Sequence, residues 1–273
     1  MTINNKDELL AALKDNPFAL LFASPRLRDD KEVVLAAVKI TSDNLKYASP
    51  RLLDDKDVAL AAIAKNPLGV LPKISTRLRE DKEVLLAAVK ENGYSLKYVP
   101  EEFKNNKEVV LAAIKEDGTA LQFASKELKD DKEVVLAAVK NTNRYKSEKP
   151  LLFASPRLRD DKEVVLAAVR KYGLALQYAS DRLKNDKDIV LAAVKKNASA
   201  LEFASDKLKD DIDIAKAYVK KSGGALHYVS DRIKNNPKLL DDTKSLDSVI
   251  ENAKNKADTQ KTNNKTETKD KTI

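Results

Sequence analysis

The residue types that ordinarily do chemistry are scarce in this chain, and their spacing points to structure. His227 is the single histidine and cysteine is absent, which excludes thiol chemistry, disulfide scaffolds and metal sites built from His and Cys. His227 fills a slot where similar segments carry Lys46, Lys97, Gln122, Gln177 or Glu202. A slot open to any polar side chain reads as solvent-facing, not as a general base. Serine recurs at eight equivalent positions from Ser24 to Ser230. A nucleophile needs a base beside it and none accompanies these serines, whereas Pro25, Pro50 and Pro156 directly after three of them mark helix N-caps. Runs such as Asp29-Asp30-Lys31-Glu32 lack the glycine and the alternating oxygens of a calcium loop, and Asp29 with Glu32 has the spacing of a capping box. The six glycines, Gly69, Gly93, Gly118, Gly173, Gly223 and Gly224, follow helical patterns. They read as left-handed C-caps and not as a phosphate loop, because a helix C-terminus presents carbonyls to a ligand.

Three patterns stay open as binding features. An aromatic recurs as Phe22, Tyr47, Tyr98, Phe123, Phe153, Tyr178, Phe203 and Tyr228, with Lys73 interrupting; free exchange of Phe and Tyr favours packing over ligand stacking. Basic residues flank a leucine in unit after unit, and Arg157, Arg159, Arg182, Lys184, Lys207 and Lys209 would form a ladder able to track a polyanion. Aspartates follow within two residues, so neutralisation between units is the competing account. The stretch Asn141 to Pro150 enlarges one turn, and Arg144, Tyr145, Lys146 and Lys149 within it are the candidate partner-binding residues, since insertions in repeat folds project from one edge.

What positions these residues is a repeat. The segment Asp30 to Val38 returns nearly unchanged at 81–89, 131–139 and 161–169. Anchored on Lys31, the equivalents are Lys6, Lys56, Lys82, Lys107, Lys132, Lys162, Lys187, Ile212 and Pro237, a period of 25 with one extra residue after Lys56 and five after Lys132. The first part of each unit is rich in helix formers. Val33, Val34, Leu35, Ala36, Ala37 and Val38 cover nearly the whole circumference, which predicts a helix buried on all sides. The second part places Leu176, Ala179 and Leu183 at i, i+3, i+7, which predicts one shorter helix with a single apolar stripe. Such short helices are unstable alone, so stacking must hold them. The leucine-rich class, with a similar period, fails for lack of strand alternation and an Asn ladder. Between Asn66 and Lys73 two prolines and an extra residue predict a shortened second helix and a local change of curvature.

Tandem "ALQYAS…DKEVVLAAVK" segments, as at Ala175–Ser180 and Asp161–Arg170, resemble the tandem helical repeat family known as domain of unknown function four-one-one-six, over roughly residues 5 to 240. The resemblance implies a helical repeat fold and supplies no activity or site.

The expected fold class is therefore all-α: an α-solenoid of about nine to ten two-helix repeats over 1–240, a capping helix at 241–252 and a disordered polar tail at 253–273. No cofactor or metal is expected. With 51 basic against 43 acidic residues the net charge is +8, a mild excess on a mixed surface. The longest aliphatic run, six residues, is far below the ~20 that cross a bilayer. Residues 1–7 carry neither a basic nor a long apolar region, so no secretory signal is read and a cytoplasmic location is expected. The functional expectation is a non-enzymatic scaffold engaging a protein partner. The alternatives are a polyanion-binding solenoid and an exported effector-like protein whose tail serves as an address.

Overall fold

The computed structural model describes residues 2–141 and 149–236. Arg144, Tyr145 and Lys146, the expected capping helix and the expected tail lie outside the described residues. Among the described residues there are helices, no strand, and one isolated parallel bridge between Ile3 and Ala23. The class is an all-α solenoid, divided into two compact units, Met1–Leu158 and Arg159–Ile273.

In the first unit the long helices Lys6–Asp15, Lys31–Ile40, Lys56–Ile63, Lys82–Glu91, Lys107–Glu116 and Lys132–Lys140 pack each against the next; in the second, Lys162–Lys171, Lys187–Lys196 and Ile212–Ser222 do the same. A second layer of 3-10 helices stacks beside them, for example Gly93–Tyr98 on Gly118–Phe123 and Gly173–Tyr178 on Ala198–Phe203.

Each repeat has three parts where two were expected. After the 3-10 helix Gly173–Tyr178 the chain is extended through Ala179 and Ser180, and a one-turn helix follows at Asp181–Lys184. Ser180 must be extended for its hydroxyl to accept from the Leu183 amide (3.3 Å), so no single helix can pass through it. Leu176, Ala179 and Leu183 all reach the core nonetheless, from successive elements.

The long helix departs from the sequence reading in three ways. Asp30, not Asp29, is its N-cap, accepting from the Val33 amide (3.2 Å). The preceding one-turn helix Pro25–Arg28 uses Asp29 as its own C-cap, which dissolves the capping-box spacing. Burial is also one-sided. Val33, Val34, Ala37 and Val38 are buried while Leu35 and Ala36 stay half-buried, because neighbours cover two flanks, the 3-10 layer a third, and the fourth faces outward.

The third departure concerns glycine. Only Gly223 and Gly224 have positive φ, and Gly223 alone is a left-handed C-cap. Gly93, Gly118 and Gly173 serve a different need. A Cβ at Gly118 would lie 2.3 Å from the Ala138 carbonyl oxygen of the next repeat, and at Gly93 2.4 Å from that of Ala113. These positions are glycine so that successive repeats can approach.

The irregular repeat replaces the 3-10 segment with a one-turn α-helix, Pro67–Val70, capped by Asn66, whose side chain accepts from the Gly69 amide (3.1 Å). Near the N-terminus, Ile3 accepts from the Ser24 amide (2.9 Å) and the Asn4 carbonyl from Arg26 Nη2 (3.2 Å). The end of a one-turn helix makes the same two bonds to its successor further along.

Candidate functional site

Two sets of ion pairs tie repeats together, and they decide which charges are free. In the first, a serine and the arginine two residues on reach back to an aspartate. Ser180 donates its hydroxyl to Asp160, Arg182 Nε lies 3.0 Å from the same carboxylate, and Arg182 Nη2 donates to the Asp160 carbonyl (2.6 Å). The backbone joins in, the Ser180 amide donating to the Arg159 carbonyl (3.0 Å). The same clamp joins Asp29 to Ser49 and Arg51, Asp54 to Ser75 and Arg77, Asp130 to Ser155 and Arg157, and Asp210 to Ser230 and Arg232. In each, first the serine hydroxyl and then the guanidinium hold the carboxylate below its ordinary pKa.

The repeats also vary in concert at this clamp. Where the aspartate is Asn105 or Asn185, the serine bond survives (2.7 Å in each), and the arginine position holds Glu127 or Lys207. Apart from Arg26, which meets Asn4 at the N-terminal edge, arginine at this position stands opposite an acid.

In the second set, the first lysine of a long helix bridges the N-cap aspartate and first-turn acid of the next. Lys56 reaches Asp81 (2.9 Å) and Glu83 (2.7 Å), Lys107 reaches Asp131 and Glu133, Lys162 reaches Asp186 and Asp188, and Lys187 reaches Asp211 and Asp213. Two carboxylates around one ammonium raise the lysine pKa.

The predicted ladder is divided by this geometry. Arg157 and Arg182 are clamped on Asp130 and Asp160. Lys184 and Lys209 pair one turn back with Asp181 (3.7 Å) and Asp206 (3.5 Å). Arg159 is half-buried with its Nε enclosed and without a hydrogen-bond partner, and Lys207 is exposed with no acid in reach among the described residues. Of the insertion residues, Lys149 is described and exposed, just before the one-turn helix Pro150–Phe153. His227 is exposed, its ring 6.3 Å from that of Tyr228. No ring of the aromatic series is buried, and the closest contact involving one crosses repeats, Tyr94 edge-on to Phe123 at 4.8 Å. Among the described residues no group of three His, Asp or Glu side chains could hold a metal ion. None of their helices is long and apolar enough to cross a membrane.

A different surface emerges on the outward face of the long helices. In the second unit a groove of about 660 Å³ runs between Lys162–Lys171 and Lys187–Lys196, floored by Leu166, Leu191 and Ala192. Arg170, Lys195 and Lys196 stand at one end, and the Lys162–Asp188 pair (3.1 Å) at the other. The cations ending the three long helices of this unit come as doublets, Arg170-Lys171, Lys195-Lys196 and Lys220-Lys221, all exposed. Sequence reading passed over this face because it treated the six apolar positions as one surface. The signal was present: valines and the second alanine share one flank, while Leu and the first alanine share the other.

Five stretches of the chain, 5–53, 55–104, 106–159, 146–184 and 161–209, match the family model described as Domain of unknown function (DUF4116). No curated protein and no solved structure matches the chain.

Proposed function

Given that the chain belongs to the DUF4116 tandem-repeat family, we propose that it is a non-enzymatic scaffold that engages a protein partner across an extended helical surface. The observation that carries this reading is the outward face of the long helices. Leu35, Leu60, Leu86, Leu111 and Leu136 in the first unit, and Leu166 and Leu191 in the second, are half-buried at equivalent positions. A half-covered leucine in seven successive repeats, up to Lys216 in the helix Ile212–Ser222, presents apolar area at regular intervals, which suits side-chain anchors on a partner.

The polyanion reading of Arg157, Arg159, Arg182, Lys184, Lys207 and Lys209 is less well supported, because four of the six already have acidic partners. The test is capture by the full chain from lysate, scored for protein and for nucleic acid. It is repeated with Leu111→Ser/Leu136→Ser and Leu166→Ser/Leu191→Ser variants that keep their circular dichroism. Specific proteins retained by the wild type and lost by either variant are expected. Capture of nucleic acid alone, unaffected by the leucine changes, would overturn the reading.

A further inference from the structure

We propose that the groove between Lys162–Lys171 and Lys187–Lys196 is the docking site for an acidic amphipathic helix of a partner protein, with its apolar side on Leu166 and Leu191 and its carboxylates on the cation doublets. This rests on the protein-binding reading and narrows it to one surface and one partner chemistry.

The charge pattern carries the argument. Most other cations of this unit are committed: Lys162 and Lys187 each hold two carboxylates, and Arg182 and Arg232 are clamped, while Lys207 is an exposed exception. None of the six doublet cations has an acidic group within 4.0 Å among the described residues. Helix ends do not require such doublets. One cation in the last turn satisfies the dipole, and the first unit does this with Lys14-Asp15, Lys90-Glu91 and Lys115-Glu116, where an acid follows the lysine. In the second unit that acid is replaced by a second cation three times in succession. Packed helices lie about 8–10 Å apart, so neighbouring doublets repel, and an anionic partner would relieve that repulsion.

The groove floor selects among anions. A nucleic acid backbone offers charge but no aliphatic side chain for Leu166, Leu191 and Ala192, whereas a peptide helix with leucines on one face and glutamates beside them matches floor and rim together. A ten-residue long helix spans about 15 Å, so a peptide helix of similar length fills the groove.

The experiment is fluorescence anisotropy of the full chain against a labelled synthetic Leu/Glu amphipathic helix, the same peptide with Leu→Ser or Glu→Lys, and a duplex DNA oligomer. The Leu/Glu peptide is expected to bind, with at least tenfold weakening for either altered peptide and for the Lys195→Glu/Lys196→Glu protein. Lys195→Gln/Lys196→Gln gives the same answer should charge reversal disturb folding, and Lys90→Gln/Lys115→Gln in the other unit should leave binding unchanged. DNA binding as tight as the peptide's, or indifference to the Leu→Ser change, would assign the doublets to a polyanion and overturn the proposal. So would full binding by the Gln variant. If no peptide binds but wild-type and Gln-variant chains capture the same proteins, this site fails while the protein-binding reading stands. If neither captures protein, both fail.

Discussion

Replacing Gly118 by alanine adds one methyl group in a backbone conformation that alanine adopts freely, since φ there is not positive. On chain entropy alone the change should stabilise by about 0.4–1 kcal/mol. The packing opposes it. The new Cβ would sit 2.3 Å from the Ala138 carbonyl oxygen and 2.9 Å from that of Asn141, both backbone atoms of the next repeat, against a comfortable separation near 3.4 Å. Relief requires the two repeats to part by roughly 1 Å. That strains the hydrogen bond from the Gly118 amide to Asn141 (3.3 Å) and those from the Asn141 side chain to Ile114 (2.7 Å) and Lys115 (2.5 Å). Overpacking of this kind costs about 1–3 kcal/mol, so a net loss of about 1–2 kcal/mol remains. For a domain of this size that lowers the melting midpoint by roughly 2–8 °C. Gly69→Ala is the control, because its Cβ would meet only the side-chain amide of Asn66 (2.7 Å), which can swing aside. It should stay within about 0.5 kcal/mol of wild type, the entropy gain offsetting a weakened cap. Far-UV circular dichroism under heat and urea measures both. A Gly118→Ala protein melting at or above the wild type would refute the close-approach account.

Ala113→Asp should cost more than about 3 kcal/mol and Ala112→Asp less than about 1, since Ala113 is fully buried and Ala112 half-buried on the outward face; equal urea midpoints would show that the helix is not one-sided. Ser180→Ala should lose about 1 kcal/mol through its cap, while Arg182→Gln should lose less and lose it chiefly at low salt, a contrast readable in urea titrations at two ionic strengths. The clamp aspartates have folded pKa values below the ordinary 3.8, so their contribution is complete above that value and disappears as pH falls through the lowered values. The bridging lysines lie above 10.5, so theirs is complete below it and lost as pH rises further; urea midpoints should therefore show no slope from these groups between about pH 5 and 9, and a fall already between pH 7 and 5 would contradict the assignment.

The repeat, its helical class and the serine caps were legible because each depends on residue type at fixed spacing. Ser180 is a cap wherever the helix after it begins. The aspartates after each basic residue announced neutralisation, although only the structure shows that Arg182 answers the aspartate of the preceding repeat, Asp160. What was not legible depends on neighbours. A helical wheel counts Leu35 and Val34 alike, and the choice of which flank meets the next helix is made by packing, where compact valine and alanine let axes approach. Gly118 looked like a C-cap because it follows a helix, while its real constraint comes from a carbonyl twenty residues away, at Ala138. The doublets were visible as letters, but their meaning required knowing that Lys162, Lys187, Arg182 and Arg232 were already occupied.

The clamp between repeats is directional. The one-turn helix Pro50–Leu53 begins with a socket and ends with a plug: Ser49 and Arg51 receive Asp29, and Asp54 enters Ser75 and Arg77. Units joined this way can only queue in one order, and the joint takes no notice of the chain length between its halves. Plug and socket stand 20 residues apart at Asp160 and Ser180, 21 at Asp54 and Ser75, and 25 at Asp130 and Ser155, across the insertion. An array built from such couplings tolerates new loops between couplings and copies of such repeats within the queue, since each of those copies arrives with both halves of the joint. Variation is thereby channelled away from the seams and onto the loops and outward faces, where a repeat can change what it meets without changing what it is attached to.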